Sequence, residues 1–286
     1  MIKDKLKQNK FIYQTVRKIK YYLSYLKNVY CECILFYAKY FLRRIHVLKS
    51  DEYVKSLKDK YKEEKLFIIA TGPSLSIETL ERLKAENAIT IAVNGIFKIF
   101  DKTSWRPDYY VIDDYWLIKK YVRDFPNMRL DNIGKKGTIF AEKCKKMIPY
   151  ARNMKNTGFI PVCYFDHWQT HYSRHFRYNR EVACGGFDFY TVTNFGINLA
   201  DYMGAKEVFL IGVDCDYTSP VQHVGEEVVK LTESEIKSNL EMEYGMLNGY
   251  YMLSKLIGEN LKIYNINQGG KVDMFPRITL EEALHM

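Results

Sequence analysis

From residue 66 onward, short apolar runs alternate with longer segments whose apolar positions recur every three or four residues. The short runs predict buried strands, and the longer segments predict amphipathic helices. The predicted strands span residues 66–70, 89–93, 109–112, 138–140, 207–211 and 262–264. The predicted helices span residues 76–86, 114–123, 193–203 and 236–258. Alternation at this spacing is typical of an α/β, Rossmann-like, doubly wound sheet whose strands are mostly parallel.

Residues 1–60 show another pattern, in which aromatic and aliphatic residues are interspersed with Lys and Arg. We interpret residues 1–62 as a basic amphipathic helical extension and residues 63–286 as the catalytic domain, with a charged linker at 55–65. Basic helices with aromatic neighbours are typical of proteins that lie on anionic membranes. The alternatives are a helical hairpin that packs on the body and a surface for self-association.

Residues 160–192 interrupt the alternation with an aromatic, basic and histidine-rich segment that ends near Gly185-Gly186. We expect an insertion over the site that acts as a lid or binds the acceptor, with the glycines as a hinge. Arg174 and Arg177, together with Arg180, are candidates to bind a carboxylate or phosphate.

Three histidines in this insertion, His167, His171 and His175, share one face if the segment is helical. Such a face could bind zinc, but only Asp166 offers a further ligand. We therefore prefer an aromatic and basic recognition surface, with His171 beside the two arginines in acceptor binding, and predict no metal site.

Charge is concentrated at one end of this 286-residue chain, whose net charge is +9. Residues 1–50 contain 12 Lys or Arg against two acidic residues, a net charge of +10, whereas the remainder carries −1. A nucleic-acid enzyme more often carries its positive field on the body, so nucleic acid is not an expected partner. The six cysteines form no C-x-x-C pair, and no signal peptide or long apolar run is visible, which together predict a cytoplasmic protein.

The first predicted strand runs directly into the turn Gly72-Pro73-Ser74 and then into a helix. Helix N-termini bind phosphate because their first N–H groups have no partner inside the helix. A glycine in such a turn leaves room for an anion beside the backbone. A tight turn with no ligand is the alternative interpretation.

Polar residues also follow the other predicted strands. Asn94 follows the second, Asp113 and Asp114 the third, and Gly212 and Asp214 the strand at 207–211. In a parallel sheet these ends share one edge, where ligands bind, so we expect these residues to surround one ligand. The alternative interpretations are that Asn94 forms a turn and that one of the adjacent aspartates caps a helix.

Three further features bear on chemistry. Thr193 and Asn194 begin a predicted helix, which makes its N-terminus a second candidate for anion binding. His223 follows Asp214 by nine residues, and its imidazole could take a proton from an acceptor hydroxyl, although a solvated histidine is the alternative. The segment from Asp214 to Asp216 has the D-x-D form of metal-dependent sugar transferases, a pattern that is common by chance.

The order of these motifs resembles a known family, which contains archaeal 6-hydroxymethylpterin diphosphokinases and a domain of motility-associated flagellin glycosyltransferases. It is also similar, more distantly, to the bacterial family-42 sialyltransferases, which are CMP-sugar enzymes with a Rossmann-like fold. The resemblance spans residues 66–285 and is weakest at 125–190. The blocks that carry it are Gly72-Pro73-Ser74, Asn94, residues 107–113, Thr193-Asn194, residues 203–214, His223 and residues 264–270.

The resemblance implies a role for each block at a bound nucleotide. The Gly72-Pro73-Ser74 turn would lie against the phosphate, and Asn94 and Asp113 would approach the nucleotide.

The later blocks concern the cytidine, the phosphate and the acceptor. Thr193 and Asn194 would occupy the position at which the sialyltransferases use a Ser-Gly pair on the cytidine. Tyr217 would correspond to their tyrosine near the phosphate, and His223 is the nearest match to their general base.

We therefore expect a glycosyltransferase with His223, Tyr217 and Asp214 as catalytic groups and no required cofactor. It would transfer a sugar from a CMP-activated donor to a bacterial surface glycan or lipid-linked glycan, at the inner face of the membrane. The first alternative is an ATP- and Mg²⁺-dependent pterin diphosphokinase, in which Asp113, Asp214 or Asp216 holds the metal. The second is a non-catalytic scaffold that recruits glycan enzymes.

Overall fold

The computed structural model describes residues 34–164, 178–225, 230–267 and 269–286, together with Val228 and parts of the segment 14–26. The predicted acceptor residues Arg174, Arg177 and His171 lie outside the described residues. The strands are β1 (Lys65–Ile69), β2 (Ile89–Val93), β3 (Tyr109–Ile112), β4 (Gly137–Ala141), β5 (Thr157–Ile160), β6 (Val162–Cys163), β7 (Gly186–Phe187), β8 (Glu207–Ile211) and β9 (Lys262–Asn265). The helices are α1 (Leu35–Arg44), α2 (Glu52–Lys55), α3 (Ile77–Ala85), α4 (Tyr115–Asp124), α5 (Val192–Tyr202), α6 (Glu233–Ile257) and α7 (Leu280–His285).

Within the described chain, seven strands form a single parallel sheet in the order β5-β4-β3-β2-β1-β8-β9. The chain first builds outward from β1 to β5, and then returns to the other side of β1 to add β8 and β9. The direction of winding therefore reverses between β1 and β8. In sheets of this kind, ligands bind in the crevice beyond the carboxyl ends of the strands at such a reversal.

The helices cover both faces of the sheet. One hydrophobic cluster joins the sheet to α1, α2, α5 and α6, and the other joins it to α3, α4 and α7. Helix α5 is buried along its whole length and crosses β1, β2 and β3, so its first turn is held firmly at the carboxyl edge. The predicted α/β doubly wound fold is confirmed.

One part of the sequence pattern was misread, and another is packed more closely than expected. The segment at 55–65 is not a linker, because Leu57 is fully buried and the backbone N–H groups of Asp59 and Tyr61 donate to the carbonyls that end α5. The glycine pair that we expect to act as a hinge is buried and closely packed. A Cβ on Gly185 would lie 2.8 Å from the Phe36 ring, and one on Gly186 would lie 2.7 Å from the Phe195 ring.

Arg180 also has a structural partner. Its guanidinium donates two hydrogen bonds, of 3.0 and 2.8 Å, to the buried carboxylate of Asp201 on α5. It therefore fastens the end of the insertion to the body of the protein, and its grouping with the acceptor residues was wrong.

Candidate active site

A cavity of about 510 Å³ opens at the carboxyl ends of β1, β2, β3 and β8. Its volume suits a small-molecule ligand. The described residues that line it include most of the predicted set: Gly72, Asn94, Asp113, Thr193, Gly212, Asp214, Tyr217 and His223. Pro73, Ser74 and Asn194 do not line it.

The backbone of the Gly72-Pro73-Ser74 turn is bonded to protein rather than open to a ligand. The Gly72 N–H donates to the Gly212 carbonyl at 2.7 Å, and the Ser74 N–H donates to Asp214 Oδ2 at 2.9 Å. A Cβ on Gly72 would overlap Asp214 Oδ2 and lie 2.5 Å from the Gly212 carbonyl oxygen. The structure thus corrects the reason for this glycine, because the space beside it holds the protein's own Asp214 carboxylate instead of a ligand anion.

Asp214 ties three segments of the site together. Besides the turn after β1, its Oδ1 atom accepts a hydrogen bond from Asn267 Nδ2 at 3.3 Å, and Asn267 Oδ1 accepts the Gly212 N–H at 2.8 Å. The carboxylate is buried and is stabilised by neutral N–H donors. We conclude that Asp214 positions the ends of β1 and β8, with the loop after β9, around the cavity.

Asp216, the other carboxylate of the D-x-D segment, has separate partners. Its Oδ1 atom lies 2.9 Å from Lys271 Nζ and accepts the Thr218 hydroxyl. Burial opposes ionisation of Asp216, but these two donors outweigh it and lower the pKa of the carboxyl. Across the described residues, no three His, Cys, Asp or Glu side chains form a group that could hold a metal ion.

Tyr217 is fixed by the same network. Lys271 Nζ also donates to the buried Glu243 at 2.8 Å, and Glu243 accepts the Tyr217 N–H at 3.1 Å. Burial, with smaller contributions from Cys215, Asp214 and Glu243, raises the pKa of the Tyr217 phenol above its ordinary value. The hydroxyl therefore stays protonated at neutral pH and remains a hydrogen-bond donor in the cavity.

His223 is joined to the turn after β1 at two points. Its Nδ1 atom lies 3.0 Å from Thr71 Oγ1, and the Val224 N–H donates to the Thr71 carbonyl at 2.7 Å. If Nδ1 carries the proton and donates a hydrogen bond to Thr71 Oγ1, Nε2 presents a lone pair, which is what a general base requires. Sequence reasoning missed Thr71, although it directly precedes Gly72.

The predicted pair at the start of α5 divides into two roles. Thr193 lines the cavity, and its N–H donates to Thr191 Oγ1, the cap of the helix. Asn194 is fully buried behind it, and its Nδ2 donates to the Phe189 carbonyl at 3.1 Å. Asn194 therefore fastens the segment before α5, which corrects its assignment as a residue facing the nucleotide.

Strained backbone occurs beside the cavity as well as elsewhere in the described chain. Four non-glycine residues there have positive φ: Asn94 (49°), Phe189 (45°), Tyr190 (72°) and Cys215 (51°). Such conformations persist where the surroundings impose them, and they are common at functional sites.

Two glycines of α6 admit the strained segment before α5. A Cβ on Gly245 would lie 2.7 Å from the Tyr190 ring, and one on Gly249 would overlap the Phe189 carbonyl oxygen. Two glycines four residues apart in a predicted helix lie on one face, so the sequence could have indicated that another segment packs closely there.

Several lining residues were not predicted. Trp116 lies in the first turn of α4 and is 71% exposed, which is unusual for a tryptophan. Asp114 caps that helix by accepting hydrogen bonds from the N–H groups of Trp116 and Leu117. This is the capping role that the sequence offered as the alternative for one aspartate of the pair. Asp113 is buried at the cavity wall, with its carbonyl accepting the Tyr164 hydroxyl at 2.8 Å. The other unpredicted lining residues include Lys143, Asp188 and Tyr190.

Sequence comparison identifies the family. The profile of the family described as 6-hydroxymethylpterin diphosphokinase MptE-like matches residues 39–220. The chain belongs to this MptE-like family. The match runs from α1 to the loop after β8, so it includes the Gly72 turn, Asp214 and Tyr217, and it ends three residues before His223. The resemblance inferred from the motifs is confirmed. No curated protein matches the chain significantly in sequence.

Solved structures of similar fold include two glycosyltransferases. The MAf glycosyltransferase from Magnetospirillum magneticum AMB-1 is 16% identical, with a TM-score of 0.48 over 77% of this chain and 34% of that chain. The MptE-like chain thus spans about a third of that protein. The sialyltransferase CstII from Campylobacter jejuni, in complex with the substrate analogue CMP-3FNeuAc, is 10% identical, with a TM-score of 0.40 over 76% of this chain and 86% of that chain.

Proposed function

We propose that this MptE-like protein is a glycosyltransferase that transfers a sugar from a nucleotide-activated, CMP-linked donor to a bacterial surface glycan. The observation that carries the proposal is the cavity where the sheet reverses its winding. There the imidazole of His223, oriented by Thr71, faces the same space as the protonated phenol of Tyr217.

In the proposed reaction, His223 Nε2 accepts the proton of the acceptor hydroxyl. The hydroxyl oxygen forms a bond to the anomeric carbon of the donor sugar, and the bond from that carbon to the phosphate oxygen breaks. The phosphate leaves with the bonding electrons and receives a hydrogen bond from the Tyr217 hydroxyl. The Asp214 and Lys271 contacts keep these groups in place, and the step uses no metal.

The rest of the cavity suits a sugar. Asp113 and Asp188 are among its lining residues, and carboxylates accept hydrogen bonds from sugar hydroxyls. Trp116 presents its exposed ring at the same cavity, and the apolar face of a sugar ring packs well on such a surface.

The second candidate function is diphosphate transfer, which the name of the family favours. It would require ATP and Mg²⁺, with Asp113 or Asp188 at the cavity as candidate metal ligands. At Asp216 a metal would compete with the ion pair to Lys271, and at Asp214 it would compete with the N–H groups of Ser74 and Asn267.

A panel of nucleotides separates these functions. Thermal shift and calorimetry with CMP, CDP, UDP, GDP and ATP are run with and without Mg²⁺. We expect CMP to raise the melting temperature most and without metal. Binding of ATP alone, and only with Mg²⁺, would favour the second candidate function. No response to any nucleotide would favour the interpretation as a non-catalytic scaffold.

We also propose that the basic extension holds the enzyme on an anionic membrane, where a lipid-linked acceptor lies. The inner face of α1 packs on the body, with Phe36 against Phe187 and Arg43 paired with Glu142 at 3.0 Å. Its outer side exposes large apolar residues beside basic ones, with Phe41 59% accessible and Ile45, directly after the helix, 48% accessible. Exposed apolar residues within a segment of net charge +10 complement an anionic bilayer. No helix among the described residues is long and apolar enough to cross a bilayer.

We expect the double substitution Phe41→Ser and Ile45→Ser to lower binding to vesicles by about tenfold or more, because each side chain contributes on the order of 1.5 kcal/mol when buried in the bilayer. Co-sedimentation with phosphatidylglycerol vesicles measures this, with phosphatidylcholine vesicles and Tyr251→Ser, an exposed aromatic on α6, as controls. Unchanged vesicle binding together with loss of a dimer in sedimentation velocity would assign the face to self-association instead.

A further inference from the structure

A second, smaller cavity of about 130 Å³ adjoins the first. The two cavities share Thr71, Asn94 and His223. The second cavity adds Lys98, from the 3₁₀ helix Asn94–Ile99, and Lys120, from α4. The candidate base thus lies where a wide cavity and a narrow one meet.

The two cavities differ in charge. The main cavity is acidic, since its described lining contains one lysine, Lys143, and the five carboxylates of Asp113, Asp114, Asp188, Asp214 and Asp216. The described lining of the smaller cavity contains both lysines and no carboxylate. The lining of the second cavity therefore attracts an oxyanion more strongly than the lining of the first, where Tyr217 offers a hydrogen bond but carboxylates predominate.

The turn after β1 does not compete for such an anion. Its N–H groups at Gly72, Ser74 and Leu75 donate to the Gly212 carbonyl, Asp214 Oδ2 and the Gly72 carbonyl. The neighbouring Asn94 has a left-handed backbone, and its buried Oδ1 atom accepts no hydrogen bond in the described part of the chain. The floor of the small cavity is formed at Gly95, where a Cβ would lie 3.0 Å from the Tyr121 hydroxyl and 3.5 Å from the Lys98 side chain.

We propose that Lys98 and Lys120 form an oxyanion subsite beside His223, which binds a phosphate or carboxylate group of the substrate. The proposal rests on the proposed function, because that substrate is the donor or acceptor of the transfer. It assigns the anionic group to the small cavity and leaves the hydroxyl-rich sugar to the carboxylates of the main one. Two ammonium groups also stabilise negative charge that develops on a leaving phosphate.

The test compares Lys98→Met, Lys120→Met and the double variant with Lys155→Met. Lys155 is an exposed lysine just before β5, at the opposite edge of the sheet. Because Lys98 and Lys120 are also exposed, their substitution by Met should leave folding intact, which circular dichroism checks.

The first arm measures the affinities of CMP and cytidine by calorimetry. If the donor phosphate occupies the subsite, the advantage of CMP over cytidine falls by about tenfold or more in the double variant and is unchanged in Lys155→Met. The second arm compares KM for an acceptor that carries a carboxylate with KM for its neutral analogue. If the acceptor supplies the anion, the double variant loses that preference while CMP binding is retained.

The inference is overturned if neither ratio changes by more than twofold in the double variant. Its failure is distinct from failure of the proposed function, in which the wild-type protein binds no nucleotide at all. In that case, the subsite is tested with inorganic pyrophosphate. The proposal predicts that pyrophosphate raises the melting temperature of the wild type more than that of the double variant. Equal shifts would contradict it.

Discussion

His223→Ala is expected to lower kcat by about 10²–10⁴-fold, while the dissociation constant of CMP changes by less than about threefold. The imidazole acts on the acceptor proton, so its loss removes stabilisation of the transition state and leaves the nucleotide contacts intact. Initial-rate kinetics with purified donor and acceptor, together with calorimetry, measure the two quantities separately. An equal loss of turnover and of donor affinity would show that His223 only binds.

The partner of the imidazole provides the matched control. Thr71→Val removes the oxygen that lies 3.0 Å from His223 Nδ1, whereas Thr71→Ser keeps it. Valine should lower kcat and serine should restore most of it. In the wild type, protonation of the base at low pH should produce an acidic limb in the rate profile, and that limb should disappear in His223→Ala.

The sequence predicted the positions of those site residues that directly follow a strand. Apolar runs identify β1, β2, β3 and β8, and in a parallel sheet their carboxyl ends share an edge. The placement of Asn94, Asp113 and Gly212 at one cavity therefore followed from order along the chain alone. The strand β5 was missed because Thr157–Ile160 is short, contains a glycine and is only half buried.

The partners of the charged groups could not be predicted in the same way. Lys271 lies more than 50 residues from Asp216, and Asn267 lies as far from Asp214, so no local pattern reveals that each pair meets. Such contacts depend on the return of β9 to the sheet beside β8. Net charge likewise indicates the basic extension, but it gives no sign of the contrast between an acidic and a basic cavity around His223.

Gly72→Ala is expected to destabilise the protein by roughly 2–3 kcal/mol, because the new Cβ overlaps the Asp214 carboxylate and approaches the Gly212 carbonyl in a closely packed turn. For a domain of this size, the corresponding fall in melting temperature is roughly 5–10 °C. Differential scanning calorimetry and chemical unfolding measure the change. Gly269→Ala is the control, because a Cβ there meets nothing within 4 Å, and it should cost less than about 0.5 kcal/mol.

This substitution also separates the two explanations of the Gly72 turn. If the glycine makes room for a ligand phosphate, alanine should leave unfolding unchanged and weaken CMP binding alone. If it makes room for Asp214, stability should fall, and Asp214→Ala combined with Gly72→Ala should cost less than the sum of the two single substitutions, because the same contact is removed twice. The Ser74 N–H would then be freed in the double variant, so a gain in phosphate affinity there would show that Asp214 occupies the position at which such turns bind anions.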